Sequence, residues 1–234
     1  MRRTAPALAL AALLALSACT SKPEETAAVA VAVFLDNDVT VAQKDTVRQR
    51  LTSMPSVTEV SFESREQTYE RQKADLQDRP DLLASLKPEH MPELFRATVT
   101  DASIAEAIEL VLAEVDGVDD VVLRIADVEP LPSRIGVIVR LKPSATGEQR
   151  AAVEKAVRAL PTAKSVTFED RDAAYERLRK RCQGKGDLAS QLQPQLTYES
   201  WRFEMPLTRE GSGVSELMKL DGVDGTPLAP LAML

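Results

Sequence analysis

One histidine, two cysteines and a few charged clusters are what this 234-residue chain offers for chemistry. His90 stands alone, which removes zinc sites built on several histidines and most histidine-based catalysis. It lies between Pro88 and Pro92 with no Ser or Cys nucleophile pattern near it, and reads as a surface or lobe-edge residue. Cys182 follows Tyr175 and Leu178 on the inward face of a helical pattern, so a small buried hydrophobe is favoured over a reactive thiol. Asp36-Asn37-Asp38 and the group Asp116, Asp119 and Asp120 gather carboxylates, but without the spaced ligands, central Gly and distal Glu of a calcium loop. Glu66 and Glu70 lie one helical turn apart and face nothing that would raise a pKa, as on a solvated helix face. Arg171, Arg177, Arg179, Lys180, Arg181 and Lys185 make one helix of the second half basic. That helix presents either a solvated face or a patch for anionic lipid, wall polymer or the first half of the chain. No catalytic constellation assembles, and neither a metal nor another cofactor is expected; the chain reads as a non-enzyme.

Cys19 has a more telling setting. Arg2 and Arg3 precede an apolar run over residues 7–18, about a dozen residues where a spanning helix needs roughly 20. The run ends in Leu16-Ser17-Ala18-Cys19, which is similar to the bacterial lipoprotein box. The expectation is a signal peptide over 1–18, lipidation at Cys19, and a polar leader over 19–27 that holds the mature chain on the extracytoplasmic face of the cell membrane. No other segment is long and apolar enough to span a bilayer. With Cys19 acylated, Cys182 has no partner for an intramolecular disulfide. The net charge of −7 argues against a nucleic-acid binder, whose footprint is basic.

The elements that position these residues come in two copies. The run 61–71, Ser-Phe-Glu-Ser-Arg-Glu-Gln-Thr-Tyr-Glu-Arg, matches 167–177, Thr-Phe-Glu-Asp-Arg-Asp-Ala-Ala-Tyr-Glu-Arg, at an offset of 106. The same register pairs Thr40 and Gln43 with Thr146 and Gln149, Pro55 with Pro161, Leu86 with Leu192, and Glu93 and Arg96 with Glu199 and Arg202. After one deletion, Asp116-Gly117-Val118-Asp119 matches Asp221-Gly222-Val223-Asp224. A register held over so many positions is a tandem repeat. It divides the chain into copy one (28–126), a Pro-containing linker (127–133) and copy two (134–234).

Each copy opens with a β-rich apolar run, 28–35 or 135–141. A capping box follows, Thr40 with Gln43 or Thr146 with Gln149, and starts a helix that Pro55 or Pro161 stops. A second strand carries Phe62 or Phe168, and Ser64 or Asp170 caps a second helix. A segment rich in Leu and Pro (78–92; 184–196) precedes the third strand (95–99; 201–205). In copy one a helix over 103–115, with Ser103 and Glu106 read as its capping box, then leads to a last strand over 118–125. The order is strand–helix–strand, helical insert, strand–helix–strand. The fold class is therefore α+β: two tandem ferredoxin-like split βαβ domains, each with a small helical lobe between the second and third strands. In copy two, Gly211 and Gly213 replace the start of the last helix and Pro227 and Pro230 interrupt the last strand, which predicts a looser end.

Several segments, taken in order, resemble the extracellular domain of the cell-division protein FtsX. They are Val33-Phe34-Leu35-Asp36-Asn37-Asp38, Met54-Pro55-Ser56-Val57, the run 60–68, Met91-Pro92-Glu93-Leu94-Phe95-Arg96 and the run 116–122. Copy two shows the same pattern more weakly through Leu160-Pro161, residues 166–175 and Asp221-Gly222-Val223. The resemblance implies a non-enzymatic module outside the membrane, with a sheet lobe and a helical lobe, that binds and switches on a peptidoglycan hydrolase or its activator. FtsX carries one such domain on a four-span membrane protein coupled to an intracellular ATPase; this chain has two copies and a lipidation motif.

The insert is the leading partner-site candidate. Leu82, Leu83, Leu86, Met91, Leu94 and Phe95 fall within fourteen positions, more than so small a lobe can bury alone, and Leu188, Leu192 and Tyr198 are offered by copy two. Packing within the lobe and contact with a partner helix both remain open for these apolar residues. The function expected is a lipid-anchored interaction protein of cell division or wall remodelling. The rivals are a solute-binding lipoprotein and an accessory subunit packing against full-length FtsX. The net charge is also divided unequally: residues 27–126 hold 19 acidic and 10 basic side chains, and residues 134–234 hold 13 and 16. Opposite charge is thus available to hold the copies together.

Overall fold

The computed structural model describes residues 28–126, 132–207 and 213–234. The expected signal peptide and leader over 1–27, with Cys19, residues 127–131 of the linker, and Gly211 lie outside the described residues. Copy one runs β1 (Val29–Leu35), α1 (Val41–Ser53), β2 (Val57–Glu63), α2 (Arg65–Asp75), α3 (Pro80–Leu83), β3 (Leu94–Val99), α4 (Ala105–Leu112) and β4 (Val118–Ile125). Copy two runs β5 (Arg134–Leu141), α5 (Gly147–Arg158), β6 (Lys164–Glu169), α6 (Arg171–Arg181), α7 (Leu188–Gln191), β7 (Ser200–Pro206), α8 (Val214–Leu217), β8 (Val223–Gly225) and β9 (Leu228–Ala229). The sheets are antiparallel, in the orders β2-β3-β1-β4 and β6-β7-β5-β8, with β9 also paired to β5. That order is the split βαβ arrangement the element sequence predicts, and the helical insert sits where expected, between the second and third strands.

Local chemistry sets the same boundaries in both copies. Thr40 and Thr146 accept from the backbone N–H of Gln43 and Gln149, whose side chains reach back to the cap backbone, so α1 and α5 each start on a complete capping box. Ser64 and Asp170 cap α2 and α6. Glu59 and Ser165 occupy the left-handed region at φ 56° and 54°, 106 positions apart, within the matching register shifts of β2 and β6.

Gly117 and Gly222 are also equivalent. At φ 90° and 92° their carbonyls accept from Asp36 N and Lys142 N, closing each sheet onto the turn before its first helix. A Cβ at Gly117 would lie 3.0 Å from Gln43 Cβ, and one at Gly222 2.9 Å from Gln149 Cβ. Strained backbone and a helix that cannot yield make Gly117→Ala and Gly222→Ala each cost about 1–3 kcal/mol, read as a shift of the urea midpoint.

The inner face of copy one's sheet, with Val31, Val33, Phe95 and Val99, packs on Val47 and Leu51 of α1 and on α4. The equivalent face of copy two, with Val137, Val139, Trp201 and Phe203, packs on Val153 and Val157 of α5 and on the short α8.

Two features differ from the sequence reading. The last helix of copy one begins with a 3-10 turn, Ala102–Ile104, capped by Asp101, whose carboxylate accepts from Ser103 N at 3.1 Å; Glu106 closes no capping box. Copy two's last helix is reduced to four residues and its last strand is split around Pro227, as expected, but its end is not loose. Ala229 and Met233 are 2% and 1% exposed, because the tail folds back across Gly136, where only the missing side chain leaves room for Leu234. Among the described residues, no helix is long and apolar enough to cross a membrane.

Candidate functional site

The same three-residue ion cluster stands on the outer face of each sheet, beneath the helical lobe. In copy one, Glu63 at the end of β2 accepts from Arg71 Nε on α2 at 2.7 Å and from Arg96 Nε on β3 at 2.5 Å. In copy two, Glu169 accepts from Arg177 Nε at 2.6 Å and forms an ion pair with Arg202, whose Nε lies 2.7 Å away and donates to Ser200 Oγ. All three positions are related by the repeat offset. Each cluster joins strand, lobe helix and strand; in copy two the Nη2 groups of both arginines reach into the groove between lobe and sheet, and in copy one Arg71 and Arg96 line that groove, with Arg71 Nη1 also 3.5 Å from Asp75.

Copy two's groove is filled by copy one. Helix α4 is buried on both faces: Ile104, Ile108 and Val111 recur at helical spacing on one side, and Ala102, Glu106 and Glu109 on the other. Glu106 Oε2 accepts from Arg177 Nη2 at 2.9 Å, and Oε1 accepts from Arg202 Nη2 and from the Tyr198 hydroxyl, both at 2.5 Å. Glu109 accepts both Arg140 Nη groups, at 2.6 and 2.5 Å, and that guanidinium lies 4.5 Å from the centre of the Tyr198 ring. Lys185 pairs with Asp101 at 2.9 Å beside this contact. Ile138, Leu178, Cys182, Leu188 and Leu192 of copy two belong to the same buried apolar cluster as Ile108 and Leu112 of α4. Opposite charge does join the copies, through Asp101, Glu106 and Glu109.

Burial works against the charge of Glu106, but Arg202 and Arg177 outweigh it and hold the carboxyl down to about 2. Burial likewise opposes the charge of Arg140, and Glu109 overcomes it, so the guanidinium sits above the usual arginine range. Burial pushes Glu109 upward while Arg140 pulls against it. An ion set this enclosed is costly to leave half-made, so it fixes where α4 must sit.

Among the described residues, nothing fills copy one's groove. The side chains of Arg71 and Arg96 are 40% and 42% exposed, against 16% and 4% for Arg177 and Arg202. Leu82 is 38% exposed where its counterpart Leu188 is 1% exposed. The groove has a volume near 430 Å³ and is lined by Ala30, Ala32, Phe34, Arg71, Arg96 and Arg124, among others.

The expected partner residues divide accordingly. Leu82, Leu83 and Leu86 lie exposed or half-buried on the open lobe of copy one. Met91, Leu94 and Phe95 are 8%, 0% and 1% exposed and offer no surface; Phe95 faces the sheet core, with its ring 5.2 Å from that of Phe62. Leu188 and Leu192 are buried under copy one, and Tyr198 is half-buried with its hydroxyl on Glu106. The basic helix is not one patch. Arg177 and Lys185 meet copy one, Arg181 donates to the carbonyls of Met233 and Leu234, Arg179 pairs with Glu176 at 2.9 Å, Lys180 is exposed and Arg171 is half-buried.

His90 is exposed. Cys182 is wholly buried, and burial raises its thiol to about 11, so no alkylation of Cys182 by iodoacetamide is expected at neutral pH until the chain unfolds; a mass shift on the peptide carrying Cys182 in the folded protein contradicts this. Among the described residues, no group of three or more His, Cys, Asp or Glu is placed to hold a metal ion. Sequence reasoning missed Arg71, Arg96, Arg124, Arg140, Arg202 and Glu106 as a set. The signal was there, since Glu63, Arg71 and Arg96 recur as Glu169, Arg177 and Arg202 in the repeat register.

A family model described as the FtsX extracellular domain matches the chain twice, over residues 28–133 and 134–225. The chain belongs to the FtsX extracellular domain family. Membership places it outside the cytoplasm, in a role related to cell division. Among curated proteins, no match is found. Within this family framework, copy two is an FtsX-like domain whose groove is closed by its own chain, and copy one is one whose groove is free.

Proposed function

We propose that this protein is a lipid-anchored interaction module of cell division and wall remodelling that binds and regulates a peptidoglycan hydrolase or its activator through copy one. The single observation that carries the reading is the pair of equivalent grooves, one holding a helix and the other open. Copy two then serves as a clamp that fixes α4, and with it the sheet of copy one, while Leu82, Leu83 and Leu86 lie exposed or half-buried on copy one's lobe, and the copy-two counterparts of Leu82 and Leu86, Leu188 and Leu192, cover α4. Lipidation at Cys19 would hold the module at the membrane where wall enzymes act.

The test is capture of purified wall hydrolases and their activators by the full chain. Capture is expected, and Leu82→Glu is expected to weaken it at least tenfold, because a charge would replace an exposed apolar contact. Lys155→Gln, on the exposed side of α5, should leave it unchanged. Failure to capture any of them, or capture indifferent to Leu82→Glu, overturns the reading.

A further inference from the structure

Copy two shows what a groove of this construction holds. A helix lies along the sheet with one carboxylate shared between two arginines, apolar lobe residues closing over it, and a second carboxylate one turn later on Arg140. Copy one repeats the first part of that receptor. Arg71 and Arg96 hold Glu63 through Nε at the positions where Arg177 and Arg202 hold Glu169, and both line the open groove. Arg71 also faces the exposed Asp75 at 3.5 Å and Glu59 stands on the same wall, so the cationic side of the groove is carried by Arg96, which shares Glu63 with Arg71, and by the exposed Arg124. In copy two, where Arg181 stands in place of Asp75, Glu106 neutralises the charge that Glu169 leaves on Arg177 and Arg202.

The second part of the receptor is changed. Phe34 stands where copy two has Arg140, Pro92 where it has Tyr198, and Ala32 where it has Ile138. A second carboxylate would find no cation there, whereas an aliphatic side chain would meet the Phe34 ring and the space left by Ala32. Leu82 and Leu86 stand at the positions of Leu188 and Leu192, which close over α4.

Resting on the reading above, we propose that copy one's groove binds a helix of a partner protein that presents one carboxylate to Arg71 and Arg96 and an aliphatic side chain one turn later to Phe34. The helix α4 of a second molecule cannot be this occupant, because it is buried in its own chain. Specificity between the two grooves then comes from the exchange of Arg140 for Phe34, which rejects a doubly acidic helix from copy one.

The probe is a stapled helical peptide of residues 102–115, with Ile104→Lys, Ile108→Lys and Val111→Gln on the face that packs against copy one's own sheet, and Glu109→Leu to suit Phe34. Fluorescence anisotropy with the full chain should give saturable binding. Removing the carboxylate aimed at Arg71 and Arg96 by Glu106→Gln should weaken it at least tenfold, as loss of a charge-assisted hydrogen bond does. Arg96→Gln in the chain should weaken it as much, and so should Arg124→Glu, an exposed position whose change leaves the fold intact. No saturable binding, equal affinity for both peptides, or binding lost with Arg140→Leu but kept with Arg124→Glu would each overturn the proposal. Capture of a wall hydrolase that survives Arg124→Glu would sink this groove chemistry and leave the wider reading standing; absence of any captured partner would sink the wider reading whatever the peptide does.

Discussion

Glu106→Ala is expected to lower the stability of the chain by about 3–5 kcal/mol, more than any exposed ion pair could. The carboxylate is 1% exposed and accepts from Arg177, Arg202 and Tyr198. Its removal leaves two guanidinium groups, 16% and 4% exposed, facing each other with only Glu169 between them. The loss reflects buried charge left uncompensated rather than the worth of one contact. Glu106→Gln preserves the shape but not the charge, so it should lose most of the same free energy. The solvated pair Arg71–Asp75, at 3.5 Å, provides the contrast: Asp75→Ala should change stability by less than about 1 kcal/mol. Urea unfolding at neutral pH measures all three. A Glu106→Ala effect as small as that of Asp75→Ala would mean that α4 is not held in copy two's groove.

Acid should open the same contact. The Glu106 carboxyl is held down to about 2 from its ordinary 4.5, so the folded chain takes up this proton less readily than the unfolded chain. Its contribution is therefore fully present above the unfolded value and is lost as pH falls from about 5 to about 2. At roughly 1.4 kcal/mol per pH unit, the loss attributable to this one group is about 3 kcal/mol. Glu109 moves the other way, since burial raises it, and adds nothing to this acid loss. Stability measured by urea between pH 7 and 2 should fall steeply in the wild type and much less in Glu106→Gln. An unchanged acid limb in that variant would contradict the assignment.

The repeat, the element order and most caps were legible in the sequence because they are local. A Thr-x-x-Gln box, a Pro after a helical stripe and a glycine at φ above 80° act within a few residues of where they are written. The site was legible only in part. Ser103-x-x-Glu106 has the spacing of a capping box, yet Asp101 performs the capping and Glu106 turns away to the arginines of copy two. Spacing along the chain cannot distinguish these uses, because the deciding partners lie 71 and 96 positions away. Leu188 and Leu192 read as docking residues for a helix, and a helix does cover them, but it is the chain's own. For Leu94 and Phe95 the apolar run allows both packing within the lobe and contact with a partner, and the structure buries both. The opposite net charges of the copies were readable from composition; which three carboxylates carry the contact was not.

The central claim is that two equivalent grooves differ in occupancy, copy two's being filled and copy one's open. Urea unfolding of Leu82→Glu and Leu188→Glu, the same change at the same repeat position, tests it most directly. Leu82 is 38% exposed and Leu188 1% exposed, so the first variant should match the wild type within about 0.5 kcal/mol while the second, burying an unpaired charge, should lose more than about 3 kcal/mol. Equal losses in the two variants, large or small, would contradict the account.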